Sequence, residues 1–511
     1  MDSPLMKNRT LFSSFAAFVL ALIAPMSASA QTKPNIVFIY ADDMGYGDVQ
    51  CLNPQRGKIK TPSMDMLASE GMLFTDAHTT SSVCTPSRYG LLTGRYNWRT
   101  QLQTGVLWGY SEPLIAADRL TVGGLLQQNG YETAMIGKWH LGMTMPTTNG
   151  VLPVGRKPKT LNIVWDGKIQ NGPTTRGFDY YYGISASLDM APYVYIENDR
   201  FDGEIPQDGK SSTAEGFTRD GVLPEFGRRA AQYISQRDDD KPFFLYVPLN
   251  SPHTPIVPTK EWVGKSGLGK YGDFQMQTDA TIGQIVDAID AAGLKQNTLV
   301  IVSSDNGCSK AAGIPQLQKQ GHYPSAQFRG SKADLWDGGH RVPFIVRWPA
   351  RVQAGSRCDQ TICMTDFMAT CADIVNAKLP ADAAEDSVSF LPALDSKPIV
   401  STRAGIVNHS ISGHFAYRQG KWKLMLAKGS GGWSAPNENA AKNSTQKAQL
   451  YDMDADPGET NNLYESRPEV AERLLKQLES DVQGGRSTKG PMAKNDVENI
   501  VLWKNQTRRS K

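Results

Sequence analysis

The sequence predicts an α/β protein in which a central, mainly parallel β-sheet is covered by helices on both faces. Short apolar runs rich in β-branched and aromatic residues occupy positions 34–40, 131–136, 243–247 and 298–302. Helical patterns lie between these runs, at roughly 63–70, 121–129 and 276–291, and a glycine follows each of them closely. Buried strands that alternate with helices are the pattern of a parallel sheet.

Polar residues follow each of the four apolar runs. They are Asp42 and Asp43 after the first run, Lys138 and His140 after the second, His253 after the third, and Asp305 with Asn306 after the fourth. The carboxyl ends of parallel strands lie at one edge of a sheet, and ligands bind beyond that edge. We therefore expect these side chains to meet in one site.

The character of the sequence changes near residue 400. The predicted elements beyond it are a hairpin over 415–425 that turns at Gln419-Gly420, a strand over 449–453 and a helix over about 467–482. A polar, low-complexity stretch at 430–449 interrupts them. The prediction is a large α/β domain at 31–398 followed by a small C-terminal α+β domain at 399–511.

The first 30 residues have the organisation of a secretory signal peptide. Lys7 and Arg9 precede an apolar stretch at 11–24, and Ala28-Ser29-Ala30 has the small-residue pattern of a cleavage site. The stretch is short for a membrane span, although an uncleaved N-terminal anchor is the alternative. No later segment has the pattern of a transmembrane helix. We expect an exported protein, periplasmic or extracellular, without membrane attachment after signal cleavage.

The charge balance and the cysteines exclude several classes of protein. The formal net charge is +3 and no long basic run is present, which argues against nucleic-acid binding. The six cysteines show no spacing typical of a zinc site and no CxxC motif. Export permits disulfides, and Cys358, Cys363 and Cys371 are close enough in sequence to supply one, but the sequence determines no pairing.

The most specific motif surrounds Cys84. The segment Cys84-Thr85-Pro86-Ser87-Arg88, followed by Leu92-Thr93-Gly94-Arg95, resembles the signature of the type I, formylglycine-dependent sulfatases. An isolated cysteine is ordinarily a buried structural thiol, but here many neighbouring positions match. The resemblance extends from about residue 34 to 465 and implies an arylsulfatase-like enzyme with an alkaline-phosphatase-like α/β sandwich. It also implies that a maturation enzyme, a transient partner, converts Cys84 to formylglycine.

Formylglycine suits the hydrolysis of an anionic ester, which repels an ordinary alkoxide or thiolate. Its aldehyde hydrates to a geminal diol, so that one hydroxyl can attack sulfur and displace the alcohol. The second hydroxyl can then lose its proton and expel sulfate while the aldehyde re-forms. Pro86 and the residues after it favour a helix start, whose N–H groups would face the anion.

Four oxygen donors follow two of the predicted strands: Asp42, Asp43, Asp305 and Asn306. Hard oxygen ligands suit Ca²⁺ or Mg²⁺ rather than zinc, whereas an acidic pair alone more commonly caps a helix. The sulfatase resemblance implies that these four residues and Cys84, as formylglycine, bind the metal and that Ca²⁺ is the usual ion. Such an ion lowers the pKa of the nucleophile and offsets the charge of the substrate.

The resemblance also implies roles for five basic side chains. Arg88 and Lys138 would hold the formylglycine and its oxygens, and His140 would take the diol proton during sulfate release. His253 and Lys332 would contact the sulfate and assist the departing alcohol. A lone lysine or histidine is ordinarily a solvated surface residue. The role of Lys332 is therefore inferred from its neighbours. The segments Arg329-Gly330-Ser331-Lys332 and Gly338-Gly339-His340-Arg341-Val342-Pro343 resemble a second sulfatase motif.

The sequence defines the substrate less closely than the reaction. Residues in loops that could present rings or carboxylates to a sugar are Trp98, Trp108, Tyr110, Tyr193, Tyr195, Asp189 and Asp199. The Gly- and Pro-rich segment at 146–177 is either a disordered surface insertion or a loop that borders the site. Because the protein is expected to be exported, a sulfated polysaccharide (a glycosaminoglycan or an algal galactan) is the predicted substrate. Small aryl sulfates would also be turned over.

Two other functions stay open at this point. One is a formylglycine-dependent phosphonate or phosphodiester hydrolase of the same superfamily. A dizinc phosphatase would need additional His and Asp ligands, and the chain has only 7 His. The other is an inactive homologue that binds sulfated glycans, against which the complete set of metal-binding, nucleophilic and cationic residues argues.

Overall fold

The described part of the protein contains two large β-sheets, a two-stranded pair and ten α-helices. The computed structural model describes residues 1–2, 33–237 and 241–504, so nearly all of the predicted signal peptide lies outside the described residues. The strands are β1 (Asn35–Asp42), β2 (Met72–Phe74), β3 (Ala77–His78), β4 (Glu132–Lys138), β5 (Tyr180–Ile184), β6 (Tyr195–Glu197), β7 (Arg200–Asp202), β8 (Phe243–Pro252), β9 (Thr298–Ser304), β10 (Phe344–Arg347), β11 (Ser356–Cys358), β12 (Ile362–Cys363), β13 (Ile406–His409), β14 (Phe415–Gln419), β15 (Trp422–Met425) and β16 (Gln449–Asp452). The helices are α1 (Pro62–Glu70), α2 (Cys84–Thr93), α3 (Val122–Gln128), α4 (Val222–Ser235), α5 (Lys270–Ala291), α6 (Ile314–Lys319), α7 (Asp337–His340), α8 (Asp366–Ile374), α9 (Leu391–Leu394) and α10 (Pro468–Gln483). Strands β3 and β12 form a small additional pair beside the two sheets.

The larger sheet has ten strands in the order β11-β2-β10-β9-β1-β8-β4-β5-β6-β7. Its centre is parallel, because β1 pairs in parallel with β8 and β9, and β4 with β8 and β5. Strand β10 runs antiparallel to both neighbours, and β6 and β7 form an antiparallel edge. The predicted mainly parallel sheet is confirmed, and the four strands predicted from apolar runs are its central ones.

Side chains of β1 alternate between two hydrophobic cores. Phe38 and Tyr40 point into a core that includes residues of α2, α3 and α8. Val37 and Ile39 point into a core with residues of α1, α4 and α5. Because successive side chains of a strand face opposite sides and both sides are covered by helices, β1 is apolar along most of its length and buried throughout.

A second sheet, antiparallel with the order β13-β14-β15-β16, lies near the C-terminus. Helix α10 packs on it through a core of its own. Strands β14 and β15 form the predicted hairpin, and Gly420 in its turn has a φ of 56°, a left-handed conformation that favours glycine. The predicted small C-terminal domain is thus confirmed. The described residues from Pro34 onward form one compact unit, and the boundary at 398/399 stays a prediction.

The structure also describes the cysteines and the apolar character of the helices. All six cysteines lie in the described residues and are free thiols, so the disulfide suggested by Cys358, Cys363 and Cys371 does not form. Closeness in sequence does not bring two sulfur atoms into bonding geometry. None of the described helices is long and apolar enough to cross a membrane.

Candidate active site

The side chains predicted to form a site meet at the carboxyl edge of the central strands. All of them are buried: Asp42, Asp43, Cys84, Arg88, Lys138, His140, His253, Asp305, Asn306 and Lys332. Strands β1, β4, β8 and β9, or the residues directly after them, supply most of the set. Helix α2 and the loop before α7 supply the others. The parallel arrangement brings these strand ends together, as expected.

Residue 84, here the encoded cysteine, is the first residue of helix α2. Its Sγ lies 3.6 Å from Asp42 Oδ1 and 3.3 Å from Lys332 Nζ. Burial raises the pKa of the Cys84 thiol to about 12. A thiol with such a pKa is neutral at neutral pH and a poor nucleophile. The folded site therefore disfavours thiolate chemistry at this position.

The oxygen donors form a compact group beside Cys84. Asp43 has a left-handed backbone conformation, with a φ of 70°, directly after β1, and its N–H donates to Asp305 Oδ1 at 3.2 Å. Asn306 Nδ2 donates to Asp43 Oδ1 at 2.7 Å. Asp43 Oδ2 and Asn306 Oδ1 are buried and have no hydrogen-bond partner within the described residues.

These donors fit a hard divalent cation. Buried oxygens without partners are costly unless an ion or water binds them. Ligand atoms of Asp42, Asp43, Cys84 and His253 lie within 4.8 Å of one another. Burial and the neighbouring Asp42 carboxylate raise the pKa of Asp305, which reflects repulsion among the acidic groups. Ca²⁺ or Mg²⁺ would relieve this repulsion and use the free oxygens.

Three cations balance the carboxylates: Arg88, Lys138 and Lys332. Both Nε and Nη2 of Arg88 donate to Asp305 Oδ2, at 3.0 and 2.7 Å, and Nη1 donates to the carbonyl oxygen of Lys138 at 3.2 Å. Lys138 Nζ donates to Asp42 Oδ2 at 2.5 Å. These charge-assisted hydrogen bonds hold the cations in place before any substrate arrives.

Lys332 completes the cationic side of the site. Its Nζ donates to Asp43 Oδ1 and also faces Cys84 Sγ. Burial alone would lower the pKa of Lys332, but the Asp43 carboxylate raises it above the ordinary value. The ammonium group therefore stays charged beside the reacting residue.

His140 lines the same cavity as Cys84. Its Nε2 lies 2.9 Å from the carbonyl oxygen of Leu107, so Nε2 carries the proton and donates. Its Nδ1 is buried and has no hydrogen-bond partner in the described part of the chain. Burial and then the Lys138 ammonium lower the pKa of His140 well below its usual value. The neutral imidazole thus has a free acceptor nitrogen at Nδ1.

His253 lines the cavity on the Asp43 side. Its Nδ1 donates to the carbonyl oxygen of Thr254 at 2.6 Å, and its Nε2 lies 3.8 Å from Asp43 Oδ2. Burial and then the Lys332 ammonium lower the pKa of His253 to about 4. His253 is therefore neutral at neutral pH, in contrast to Lys332.

A cavity of about 430 Å³ lies over Cys84, within the usual size of a ligand site. Two of the residues predicted to face a sugar, Trp108 and Asp189, line it. Five others do not: Trp98, Tyr110, Tyr193, Tyr195 and Asp199. The rings of Trp98, Tyr110 and Tyr193 are only 0%, 0% and 6% exposed. The prediction is wrong for these three because a large ring gains more from core burial, which a position in a loop does not reveal.

Among the other residues that line the cavity, which the sequence did not single out, are Arg156, Lys310 and Trp433. Arg156 belongs to the segment at 146–177, whose Ile163 is buried in the main core. The segment is therefore a folded loop that borders the site, not a disordered insertion. Trp433 is a large aromatic residue within the polar stretch at 430–449. This contrast with its neighbours is the signal by which the sequence could have identified it.

The chain matches two family models. The model described as Sulfatase matches residues 34–377, and the one described as N-sulphoglucosamine sulphohydrolase, C-terminal, matches residues 331–486. The N-acetylgalactosamine-6-O-sulfatase of Bacteroides thetaiotaomicron is 34% identical over 495 residues, covering 88% of this chain and 93% of that protein. Human arylsulfatase A is 31% identical over 501 residues, covering 91% of this chain and 90% of that protein.

A solved structure agrees with these matches. It concerns the metabolism of multiple glycosaminoglycans by Bacteroides thetaiotaomicron and has a TM-score of 0.77 at 32% identity, covering 88% of this chain and 99% of the other. The predicted alkaline-phosphatase-like α/β sandwich is confirmed. Taken with the two family models, these similarities show that the chain belongs to the sulfatase family and is a sulfuric ester hydrolase.

Proposed function

We propose that the protein is an exported enzyme that removes sulfate from sulfated carbohydrates, with residue 84 as formylglycine. The observation that carries the proposal is the meeting of Cys84, a group of oxygen donors and three paired cations in one buried site. Hydrated formylglycine would supply one hydroxyl that attacks sulfur and a second whose deprotonation releases sulfate. Ca²⁺, held by Asp42, Asp43, Asp305, Asn306 and residue 84, would supply Lewis-acid stabilisation of the anion.

The cations bind and orient the sulfate group in this proposal. Lys138 and Lys332 are held beside residue 84 by carboxylates, and helix α2 begins at the same residue. Helix N–H groups and preorganised ammonium groups stabilise negative charge that develops during the transfer of the sulfuryl group. Arg88 keeps Asp305 in place and thereby acts on the site indirectly.

The two histidines have different roles in the proposed reaction. His140 takes the proton from residue 84 at its free Nδ1 during sulfate release, since its Nε2–H is committed to Leu107. The Lys332 ammonium stays charged and hydrogen-bonds to the departing oxygen, which then takes its proton from water, whereas neutral His253, whose Nδ1–H donates to Thr254, lies beside it. This division narrows the shared role that the sequence suggested for His253 and Lys332.

The relatives support a sugar substrate. One is named for N-acetylgalactosamine 6-O-sulfate cleavage, and a similar structure concerns glycosaminoglycan metabolism. We extend the proposal to a sulfated sugar of the glycosaminoglycan type. Export follows from the predicted signal peptide at 1–30, and a maturation enzyme would act on Cys84.

Replacement of Cys84 by alanine tests the proposed reaction. The variant is expected to lose activity on aryl sulfate and on 6-sulfated N-acetylgalactosamine by about a thousandfold or more, because the nucleophile is removed. Cys51→Ala, which changes a half-buried thiol outside the site, is the control and should keep its activity. Mass spectrometry of the peptide that contains residue 84 should show an aldehyde when a maturation enzyme is co-expressed.

Four outcomes would contradict the proposal. Cys84→Ala enzyme that still hydrolyses sulfate esters, or active enzyme that carries only thiol at residue 84, would exclude the nucleophile. Faster turnover of an aryl phosphodiester than of aryl sulfate would favour the phosphonate or phosphodiester hydrolase. Binding of sulfated glycans without any hydrolysis would favour the inactive homologue.

A further inference from the structure

One part of the cavity lining has no role in the reaction proposed above. Lys310 and Trp433 lie together there, with Lys310 Nζ 4.8 Å from the centroid of the Trp433 ring. Both side chains are exposed, Trp433 by 37%. An indole buries much apolar area when it finds a partner, so an exposed indole beside a ligand cavity indicates a contact surface. The flat C–H face of a pyranose ring is a suitable partner for it.

The backbone holds Trp433 in a defined position. The N–H groups of Trp433 and of the next residue donate to Asp334 Oδ1 at 2.8 and 2.9 Å. Gly432 packs so closely that a Cβ there would lie 2.1 Å from the carbonyl oxygen of Ala333. Because Asp334 follows Lys332 by two positions, these contacts fix the ring relative to the ammonium group at the bottom of the cavity. The polar stretch at 430–449 is thus a built wall of the site.

The charges of the lining favour a ligand with more than one anionic group. Its cations are Arg156, Lys310 and Lys332, against the carboxylate of Asp189. Lys332 pairs with Asp43 and Arg156 pairs with Asp189, so that, within the described residues, Lys310 is the lining cation without a carboxylate partner. An exposed cation–π contact is weaker than a charge-assisted hydrogen bond to a carboxylate or sulfate. Lys310 can therefore exchange the ring for an anion, which frees the ring face.

We propose that Trp433 and Lys310 form a sugar subsite in which the indole packs against the pyranose ring of the substrate and Lys310 binds a second anionic group. That group is a carboxylate of a linked hexuronic acid or another sulfate of the same sugar. The inference rests on the proposed hydrolysis of sulfated sugars and adds the substrate feature that the site selects. Substrates with a second negative charge near the cleaved sulfate are preferred over substrates whose only charge is that sulfate.

Substitution of Trp433 tests the ring contact. Trp433→Ala is expected to lower kcat/KM for 6-sulfated N-acetylgalactosamine by about tenfold or more, as for a central aromatic contact, whereas Trp433→Phe restores most of it. The inhibition constant of inorganic sulfate reports on the bottom of the cavity and should change by less than about twofold. Trp262, which pairs with Lys265 at 4.4 Å outside the cavity, offers the matched control Trp262→Ala.

Substitution of Lys310 tests the second anionic group. Three substrates are compared: 6-sulfated N-acetylgalactosamine alone, the same sugar linked to a hexuronic acid, and a disulfated N-acetylgalactosamine. Lys310→Ala should lower kcat/KM by about tenfold for one or both of the substrates with an additional anion, since a charge-assisted contact is lost. The kcat/KM for 6-sulfated N-acetylgalactosamine alone should change little. Which of the two substrates responds identifies the anion as carboxylate or sulfate.

Failure of this inference is distinguishable from failure of the proposed function. If the wild-type enzyme hydrolyses neither aryl sulfate nor sulfated sugars, the proposed function itself is wrong. If the wild type is active but Trp433→Ala matches it on sugars, or weakens sulfate inhibition as strongly as sugar turnover, the subsite is wrong. Equal effects of Lys310→Ala on all three substrates, or none, would also exclude it.

Discussion

Two side-chain oxygens at the bottom of the site, Asp43 Oδ2 and Asn306 Oδ1, show how individual atoms can indicate a cation site. Both oxygens are buried and have no hydrogen-bond partner within the described residues. Asn306 Nδ2 donates to Asp43 Oδ1 and to the carbonyl oxygen of Gly307, so the amide nitrogen is fully used while Oδ1 is left without a partner in the described part of the chain. A bound cation would give both oxygens a partner.

We predict that Ca²⁺ stabilises the protein through Asn306. At a Ca²⁺ concentration of about 100 times the Kd, the wild-type free energy of unfolding should rise by about 2.7 kcal/mol relative to chelator-treated protein. Asn306→Ala should lose most of this increase because it lacks the free oxygen ligand. Differential scanning calorimetry with Ca²⁺, with Mg²⁺ and with chelator measures the effect as a change in Tm.

Asn408→Ala is the control for this experiment. Asn408 is also buried with an Oδ1 that has no hydrogen-bond partner within the described residues, but it lies in the C-terminal sheet. Its substitution should lower the Tm without changing the shift caused by Ca²⁺. A full Ca²⁺ shift in Asn306→Ala would contradict the proposed ligand set, and a larger shift with Mg²⁺ would change the proposed ion.

At the scale of the element, helix α10 carries a buried acid on the face that packs against the second sheet. Asp481 is only 4% exposed, and Gln477, one turn earlier, donates to its Oδ1 at 3.0 Å. Burial and then the neighbouring Asp386 carboxylate raise the pKa of Asp481 to about 7. The folded protein therefore holds this proton more tightly than the unfolded chain. Its contribution to stability is complete below the ordinary pKa of 3.8 and is lost as the pH rises to about 7.

We predict that Asp481→Asn, which resembles the protonated acid, stabilises the protein at alkaline pH. At pH 8 the free energy of unfolding should exceed that of the wild type by about 2 kcal/mol, a Tm increase of roughly 2–4 °C. Near pH 4 the advantage should disappear, because the wild-type residue is then protonated too. Calorimetry of both proteins from pH 4 to pH 8 measures this difference in stability.

Glu472→Gln on the same helix provides the comparison. Glu472 is exposed and pairs with Lys476 on the surface, so its substitution should change the Tm little at either pH. A constant difference between Asp481→Asn and wild type from pH 4 to pH 8 would show that Asp481 does not titrate in this window.

For the molecule as a whole, a buried charge network connects the main sheet region with the C-terminal sheet. Its histidines and one acid form a second group of potential metal ligands: His78, Asp337 and His340. Lys423 of β15 already supplies a cation there, since its Nζ donates at 2.7 Å both to Asp337 Oδ1 and to Glu459 Oε1. The group is therefore an ion-pair network that links β15 to helix α7 and to the segment after β16.

We predict that Lys423→Met destabilises the whole protein. Removal of one partner leaves two carboxylates buried without compensation, which costs about 3–5 kcal/mol. The Tm should fall by about 5 °C or more in calorimetry. Lys421→Met, two positions earlier, removes a pair with Asp452 whose lysine is 46% exposed, and should cost less than about 1 kcal/mol. Equal Tm values for the two variants would contradict this account of the network.

The central sheet and the group of side chains at its carboxyl edge were predictable from sequence. A strand covered on both faces must be apolar at nearly every position, which makes β1, β4, β8 and β9 recognisable as short runs. Since parallel strands end at one edge, the polar residues after those runs had to be neighbours. The motif around Cys84 added a specific chemical resemblance, and the family matches agree with it.

What only the tertiary structure decided is the wall of the cavity. Trp433, Lys310 and Arg156 come from three distant parts of the chain, and no periodicity or local motif links them. Trp98 and Tyr110 have sequence surroundings much like that of Trp108, yet they are buried in cores. Sequence alone therefore predicted which side chains meet at the strand ends, because strand ends and a local motif are encoded by neighbouring residues. Substrate contacts depend on which loops pack together, and that is settled only by contacts between residues far apart in the chain.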